Sequence, residues 1–186
     1  MRKLVTLVGA IALVFVLTAG PATAQSVLTP PVIIDRTAVA LTYLPTGGTT
    51  TLNFGVSYQL NPQWDAVVSF FSPAAPAATA FRVAGRYHVR RPSPQTDVFA
   101  TIGYFSPSAG NNHIELGAGL VQTVAPGLQM YAVSTYNTAT TAASNPYIST
   151  NIGFQYELNR QFSLVVGYEE QTGFGYLGFS FDFSRR

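Results

Sequence analysis

From Thr37 onward the chain alternates apolar residues with small or polar ones at a period of two. Leu52, Phe54, Val56, Tyr58 and Leu60 share one parity, while Thr51, Asn53, Gly55, Ser57 and Gln59 share the other. Successive side chains of a strand point to opposite faces, so such a segment is a strand with one oily face and one small, polar face. Breakers divide the chain into ten predicted strands: Thr37–Leu44, Thr50–Leu60, Gln63–Phe71, Thr79–Arg90, Asp97–Phe105, His113–Val124, Leu128–Tyr136, Tyr147–Leu158, Phe162–Glu169 and Phe174–Phe183. The punctuation is Pro45-Thr46-Gly47-Gly48, Asn61-Pro62, the two-proline stretch Ser72–Ala77, and Arg91-Pro92-Ser93-Pro94. It continues with Ser106–Asn112, Ala125-Pro126-Gly127, Asn137–Asn145, the two-residue turn Asn159-Arg160, and Gln171-Thr172-Gly173. Tight turns alternate with looser connections, as in an antiparallel up-and-down barrel with short turns at one end and longer loops at the other. Ten strands is the first reading. Eight is the alternative, because the first and seventh strands are the weakest in pattern.

The charges follow the same parity and decide which face is inside. In the fourth strand Phe81, Val83, Gly85, Tyr87 and Val89 lie on one face, and Arg82, Ala84, Arg86, His88 and Arg90 on the other. Asp97, Glu115, Glu157, Glu169 and Asp182 all fall on the small, polar face of their strands. A soluble, lipocalin-like periplasmic barrel would turn the apolar face inward, whereas a membrane barrel turns it out into lipid. Two features favour the membrane version. The polar face is rich in Gly, Ser, Ala and Thr, and beyond Lys3 the chain has no lysine, unlike a solvated face. The apolar face stays bulky to the strand ends, where Tyr58, Trp64, Tyr104, Tyr156 and Tyr168 are placed to form interfacial girdles. The polar face is then a lumen. There Arg82, Arg86, His88 and Arg90 require partners, because unpaired buried charge is costly, and Asp97, Glu115, Glu157, Glu169 and Asp182 are the candidates. Such a network either plugs the barrel or forms a selectivity constriction or an anion site.

Composition agrees with a lipid-facing exterior. Charged residues make up 10% of the chain and aromatic residues 13%, against roughly 25% charged in ordinary soluble domains. Arg2 and Lys3, the apolar run Leu4 to Leu17, the break at Gly20-Pro21 and Ala22-Thr23-Ala24 read as a signal peptide cleaved after Ala24. Cleavage leaves one domain of about 162 residues, 25–186. Removing Arg2 and Lys3 from ten basic residues leaves eight, equal to the eight acidic ones, so nothing points to a nucleic-acid surface. The absence of cysteine excludes disulfides and a lipid-bearing cysteine.

The last strand, Tyr176-Leu177-Gly178-Phe179-Ser180-Phe181-Asp182-Phe183, alternates throughout. It resembles the final strand of small bacterial outer-membrane β-barrel proteins, the porin-like class. There the pattern runs polar, any, Gly, two of any, aromatic, any, aromatic. Tyr176, Gly178, Phe181 and Phe183 fit it. The resemblance implies that these four residues form the signal read by the barrel-assembly machinery, and that outer-membrane lipid surrounds the folded chain. Members of the class usually end on the last aromatic, whereas this chain continues with Ser184-Arg185-Arg186.

Catalytic chemistry has little support. Only His88 and His113 are available as bases: His88 falls among the lumenal arginines, and His113 at a strand end with Asn111, Asn112 and Glu115 nearby. No metal-ligand spacing, phosphate loop or cofactor motif occurs, and Glu169-Glu170 is a lone acidic pair. The outer loops of Ala, Thr, Pro, Gly and Ser offer few anchors for a dedicated receptor. The expectation is a non-enzymatic envelope barrel without cofactor, structural or interaction-mediating, with a largely plugged polar interior. A narrow channel for small solutes is the alternative, and the oligomeric state stays open.

Overall fold

The structure, a computed structural model, describes residues 38–46, 49–73, 79–93, 95–108, 111–140, 146–170 and 173–183. The segment read as a leader with a cleavage site after Ala24, and Thr37, lie outside the described residues. Among those described, ten strands run in order: β1 (Ala38–Thr46), β2 (Thr49–Asn61), β3 (Trp64–Pro73), β4 (Ala80–Ser93), β5 (Thr96–Pro107), β6 (His113–Ala125), β7 (Leu128–Ala139), β8 (Tyr147–Glu157), β9 (Phe162–Glu169) and β10 (Phe174–Asp182). Each pairs antiparallel with its sequence neighbours. β1 also pairs with β10, Val39 opposite Phe181 and Leu41 opposite Phe179, which closes the sheet. A closed sheet leaves no edge, so its backbone donors and acceptors are satisfied without water.

The strand ends show what the breakers could and could not stop. β4 continues through Arg91 and Pro92 until Ser93 pairs with Thr96, at the cost of register breaks between His88 and Arg90 and between Arg90 and Ser93. A proline without an N–H is tolerated at such a bulge. β1 likewise runs through Pro45, and β7 extends to Ala139. The predicted two-residue turn at Asn159-Arg160 is a four-residue connection, Leu158 to Gln161, closed by the Leu158 N–H on the Phe162 carbonyl at 2.9 Å. Side-chain oxygens shape two of the tight turns. Asn61 Oδ1 accepts from the N–H groups of Gln63 and Trp64 at 2.9 and 3.0 Å, and Asn159 Oδ1 accepts from those of Gln161 and Phe162, both at 2.9 Å. Between β6 and β7, Gly127 takes a φ of 73°, a left-handed conformation that suits glycine.

The barrel thus has a turn end, holding these connections, and a loop end between β3 and β4, β5 and β6, and β7 and β8. Outside, Phe54, Val68, Phe70, Phe81, Ile102, Leu116, Ile152 and Phe179 are all more than 40% exposed. Strands of eleven residues such as β8, rising about 3.3 Å per residue at a tilt near 40°, span roughly 28 Å, close to an outer-membrane apolar band. Tyr58, Trp64, Tyr87 and Tyr156 decorate the outer wall toward the turn end, with Trp64 and Tyr87 rings 5.0 Å apart; Tyr104, Tyr136 and Tyr168 lie toward the loop end. The wall therefore faces outward with its apolar side, the reverse of a soluble, lipocalin-like barrel.

Candidate functional site

The inward parity buries Arg82, Arg86, His88, Asp97, Glu115, Glu169 and Asp182, and β4 carries the cations. Arg86 and Asp65 are direct ladder partners on β4 and β3. Arg86 Nε donates to Asp65 Oδ1 at 2.9 Å and Nη2 to Oδ2 at 2.6 Å, a bidentate, charge-assisted pair. Nη2 also donates to Ser57 Oγ on β2 at 2.8 Å, and the guanidinium sits 5.8 Å from the centre of the Phe99 ring. His88 continues the chain of contacts: its Nδ1 is 2.8 Å from Asp97 Oδ2 on β5, and its Nε2 is 3.9 Å from Asp65 Oδ2. One network thus ties β2, β3, β4 and β5 together toward the turn end.

Toward the loop end Arg82 reaches across β5 to pair its Nε with Glu115 Oε2 on β6. Both are buried, 1% and 0% exposed. The path across β5 is open because Gly103 lies between: a Cβ there would stand 2.8 Å from Glu115 Oε2 and 3.1 Å from Ala84 Cβ. Glu169, also buried, accepts from Ser149 Oγ at 2.8 Å. Asp182 is buried at the turn end of β10, and Glu157 is half-buried at the end of β8.

One sequence expectation is corrected. Asp65, absent from the candidate partners, is the carboxylate that holds Arg86, although it shares the polar parity of β3. The register shift after His88 sets the backbone of Arg90 opposite Val98, and the Arg90 side chain lies outside the described residues. His113 is half-buried between the rings of Phe105 and Tyr147, at centroid distances of 6.1 and 5.7 Å.

The interior is also less polar than its parity suggested. Val67, Phe71, Phe99, Phe105, Tyr131, Val133, Val165 and Tyr176 are buried inside it. Glycines in the wall receive the rings. A Cβ on Gly119 would overlap the ring of Phe99, its ladder partner. In a four-strand row, Tyr131, Gly153, Gly167 and Tyr176 are consecutive ladder partners. The two tyrosines lie toward each other over the two glycines, and their hydroxyls meet at 2.5 Å. Tyr176, one of the four residues of the terminal-strand pattern, therefore points inward with Gly178, while Phe181 is on the outward parity and Phe183 is exposed. The cavity bounded by Val67, Arg82, Ala84, Arg86, Phe99, Thr101 and Val133 measures about 10 Å³, room for about one water.

No protein-family model matches the chain, and no curated protein does. Solved structures do. The KdgM porin aligns with a TM-score of 0.52 at 10% identity, covering 78% of this chain and 99% of that one. The NanC porin aligns with a TM-score of 0.53 at 11% identity, covering 78% and 98%. At such identity the likeness is one of architecture, and the chain has the porin-like, transmembrane antiparallel β-barrel fold.

Proposed function

We propose that this protein is an integral outer-membrane β-barrel whose lumen is closed by its own side chains, and that it serves the envelope as a non-enzymatic structural or interaction component. In this reading the leader exports the chain. Tyr176, Gly178, Phe181 and Phe183 present it to the barrel-assembly machinery, and lipid covers the apolar wall. The observation that carries the closed lumen is the buried Arg82–Glu115 and Arg86–Asp65–His88–Asp97 network, in which Arg82 and Arg86 bound, with Phe99, a cavity of about 10 Å³. Charges so enclosed are held by partners rather than by water, which suits a plug that fixes the barrel's cross-section.

A narrow channel is the second reading, favoured by the likeness to KdgM and NanC; a KdgM porin structure holds disordered oligogalacturonate. Planar-bilayer recording of the refolded mature chain separates the two. A closed barrel inserts without steady current, whereas a channel gives reproducible single-channel steps whose ion selectivity changes in Arg86→Ala.

A further inference from the structure

Over most of the outer wall the mid-strand residues stand proud, Val68 at 41% and Ile102 at 55% exposed. Val166 of β9 lies on the outward parity with Leu164 and Tyr168, yet it is 4% exposed. It floors a recess of about 180 Å³ bounded by Met130 and Ala132 of β7, Ile152 and Phe154 of β8, and Tyr168 of β9. The register gathers these residues: Met130, Phe154 and Val166 are consecutive ladder partners, as are Ala132, Ile152 and Tyr168. Between the two rows lie Gly153 and Gly167. A Cβ on Gly153 would overlap the Val166 carbonyl, so β8 and β9 approach here as residues with side chains could not. Apart from the Tyr168 hydroxyl, the outward side chains around the recess are hydrocarbon or thioether. An apolar cavity of about 150 Å³ already admits a benzene-sized ligand.

Hydroxyl groups border the recess toward the loop end. Ser134 and Thr150 are outward-facing ladder partners whose hydroxyls lie 3.1 Å apart. Two hydroxyls sharing one bond leave one proton to donate. The Tyr168 hydroxyl reaches toward the β9–β10 connection, where a Cβ on Gly173 would stand 4.0 Å from it. Thr150 lies roughly 8 Å below the loop end of β8, and the recess at Ile152 and Phe154 continues roughly 5 to 10 Å deeper. We propose that this recess is a fixed lipid site. One acyl chain of a lipid in the loop-side leaflet lies over Val166, and its ester carbonyl accepts from the Ser134–Thr150 pair. The proposal rests on the membrane-barrel reading above and adds a place where one lipid is held rather than exchanged with its neighbours. Burial alone gives the chain no preference, because the bilayer is as apolar as the recess. The preference comes from packing on several sides at once and from a hydroxyl proton that no water satisfies at that depth. The convex wall of a second barrel would rest on the exposed side chains of Met130 and Ile152 and leave the recess unfilled, whereas a single flexible chain enters it.

The test refolds the full mature chain in short-chain detergent micelles doped with dimyristoyl phosphatidylcholine and counts retained lipid by native mass spectrometry. Wild type is expected to keep one lipid after the detergent is stripped. Ala132→Phe, which puts a ring into the recess, is expected to abolish retention, and Val68→Phe, an equal addition to the wall of β3, to leave it unchanged. Ser134→Ala with Thr150→Val is expected to weaken retention about fivefold, the loss of one hydrogen bond. Retention in Ala132→Phe equal to wild type overturns the site, and so does a lipid-free pair of chains, which makes a second copy the occupant. An unchanged hydroxyl variant overturns the placement of the ester. Should Ala132→Phe give no heat-modifiable band, Trp64→Phe with Tyr168→Trp moves the one tryptophan to the rim of the recess. In vesicles containing phosphatidylcholine dibrominated on its acyl chains, this tryptophan is expected to be quenched at a lower mole fraction of brominated lipid than Trp64 in the native chain. Coincident curves overturn the proposal. A chain that stays soluble without detergent removes the membrane-barrel reading and the site with it, whereas a folded barrel that retains no lipid removes the site alone.

Discussion

Removing the carboxylate of Asp65 tests whether the lumenal network is a structural plug. In Asp65→Ala, Arg86 loses the bonds from Nε at 2.9 Å and Nη2 at 2.6 Å while keeping Ser57 Oγ and the Phe99 ring. Both side chains of the pair are less than 5% exposed, so water cannot replace the lost partner without disturbing the packing. His88 also loses its second carboxylate and keeps Asp97. Stranding one member of a buried ion pair costs about 3–5 kcal/mol. The charge, rather than the shape, is responsible if Asp65→Leu combined with Arg86→Met recovers most of that loss, since apolar replacement of a whole buried pair is close to neutral. Urea unfolding from lipid vesicles measures both variants. Trp64, the single tryptophan, reports from the outward wall beside position 65. The reasoning fails if Asp65→Ala stays within about 0.5 kcal/mol of wild type, the range of an ordinary surface substitution. It fails equally if the double variant is as unstable as the single one.

Three further outcomes follow from the wall. Gly119→Val drives a side chain into the Phe99 ring and is expected to cost about 1–3 kcal/mol; Phe99→Ala in the same chain should return part of it, read from the same unfolding curves. Val68→Arg places a charge on the outward face in mid-strand, where Val68 is 41% exposed. In vesicles it should cost about 2–4 kcal/mol, although the same change at an exposed site in water would be nearly silent. Asn61→Ala leaves the N–H groups of Gln63 and Trp64 without their acceptor and should lower stability by about 1 kcal/mol. In a native gel time course it should also slow acquisition of the folded, heat-modifiable form.

The period-two pattern carried the architecture because every strand of a closed barrel has one face in each medium, so parity alone assigns sides. Ten strands, their antiparallel order and the inward placement of Arg82, Arg86, His88, Glu115 and Glu169 were legible that way. Strand ends were less so: Pro45 and Pro92 read as stops, yet an edge-free ladder with bulges carries β1 and β4 past them. Parity also breaks at a bulge, which is why the ladder partner of Arg90 is Val98 rather than a residue of the lumenal parity. Asp65 was within reach of the sequence, as the acid on the polar parity of β3, but choosing the partner of Arg86 requires the register, which sets residue 65 opposite residue 86. The tyrosine bridge depends on the same kind of information. Gly153 and Gly167 look like mere small residues of a polar face until the ladder aligns them between Tyr131 and Tyr176.

The central claim is that the apolar face meets lipid. It is tested most directly by expressing the chain behind its own leader, fractionating the cells, and running the membrane fraction on a gel with and without boiling. The expected result is a protein recovered in the outer membrane whose band shifts on heating, as a closed, detergent-resistant barrel does. Recovery as a soluble periplasmic protein with no heat-dependent shift would contradict it, because a wall carrying Phe54, Val68, Phe70 and Phe179 half-exposed could not then be facing water in this fold.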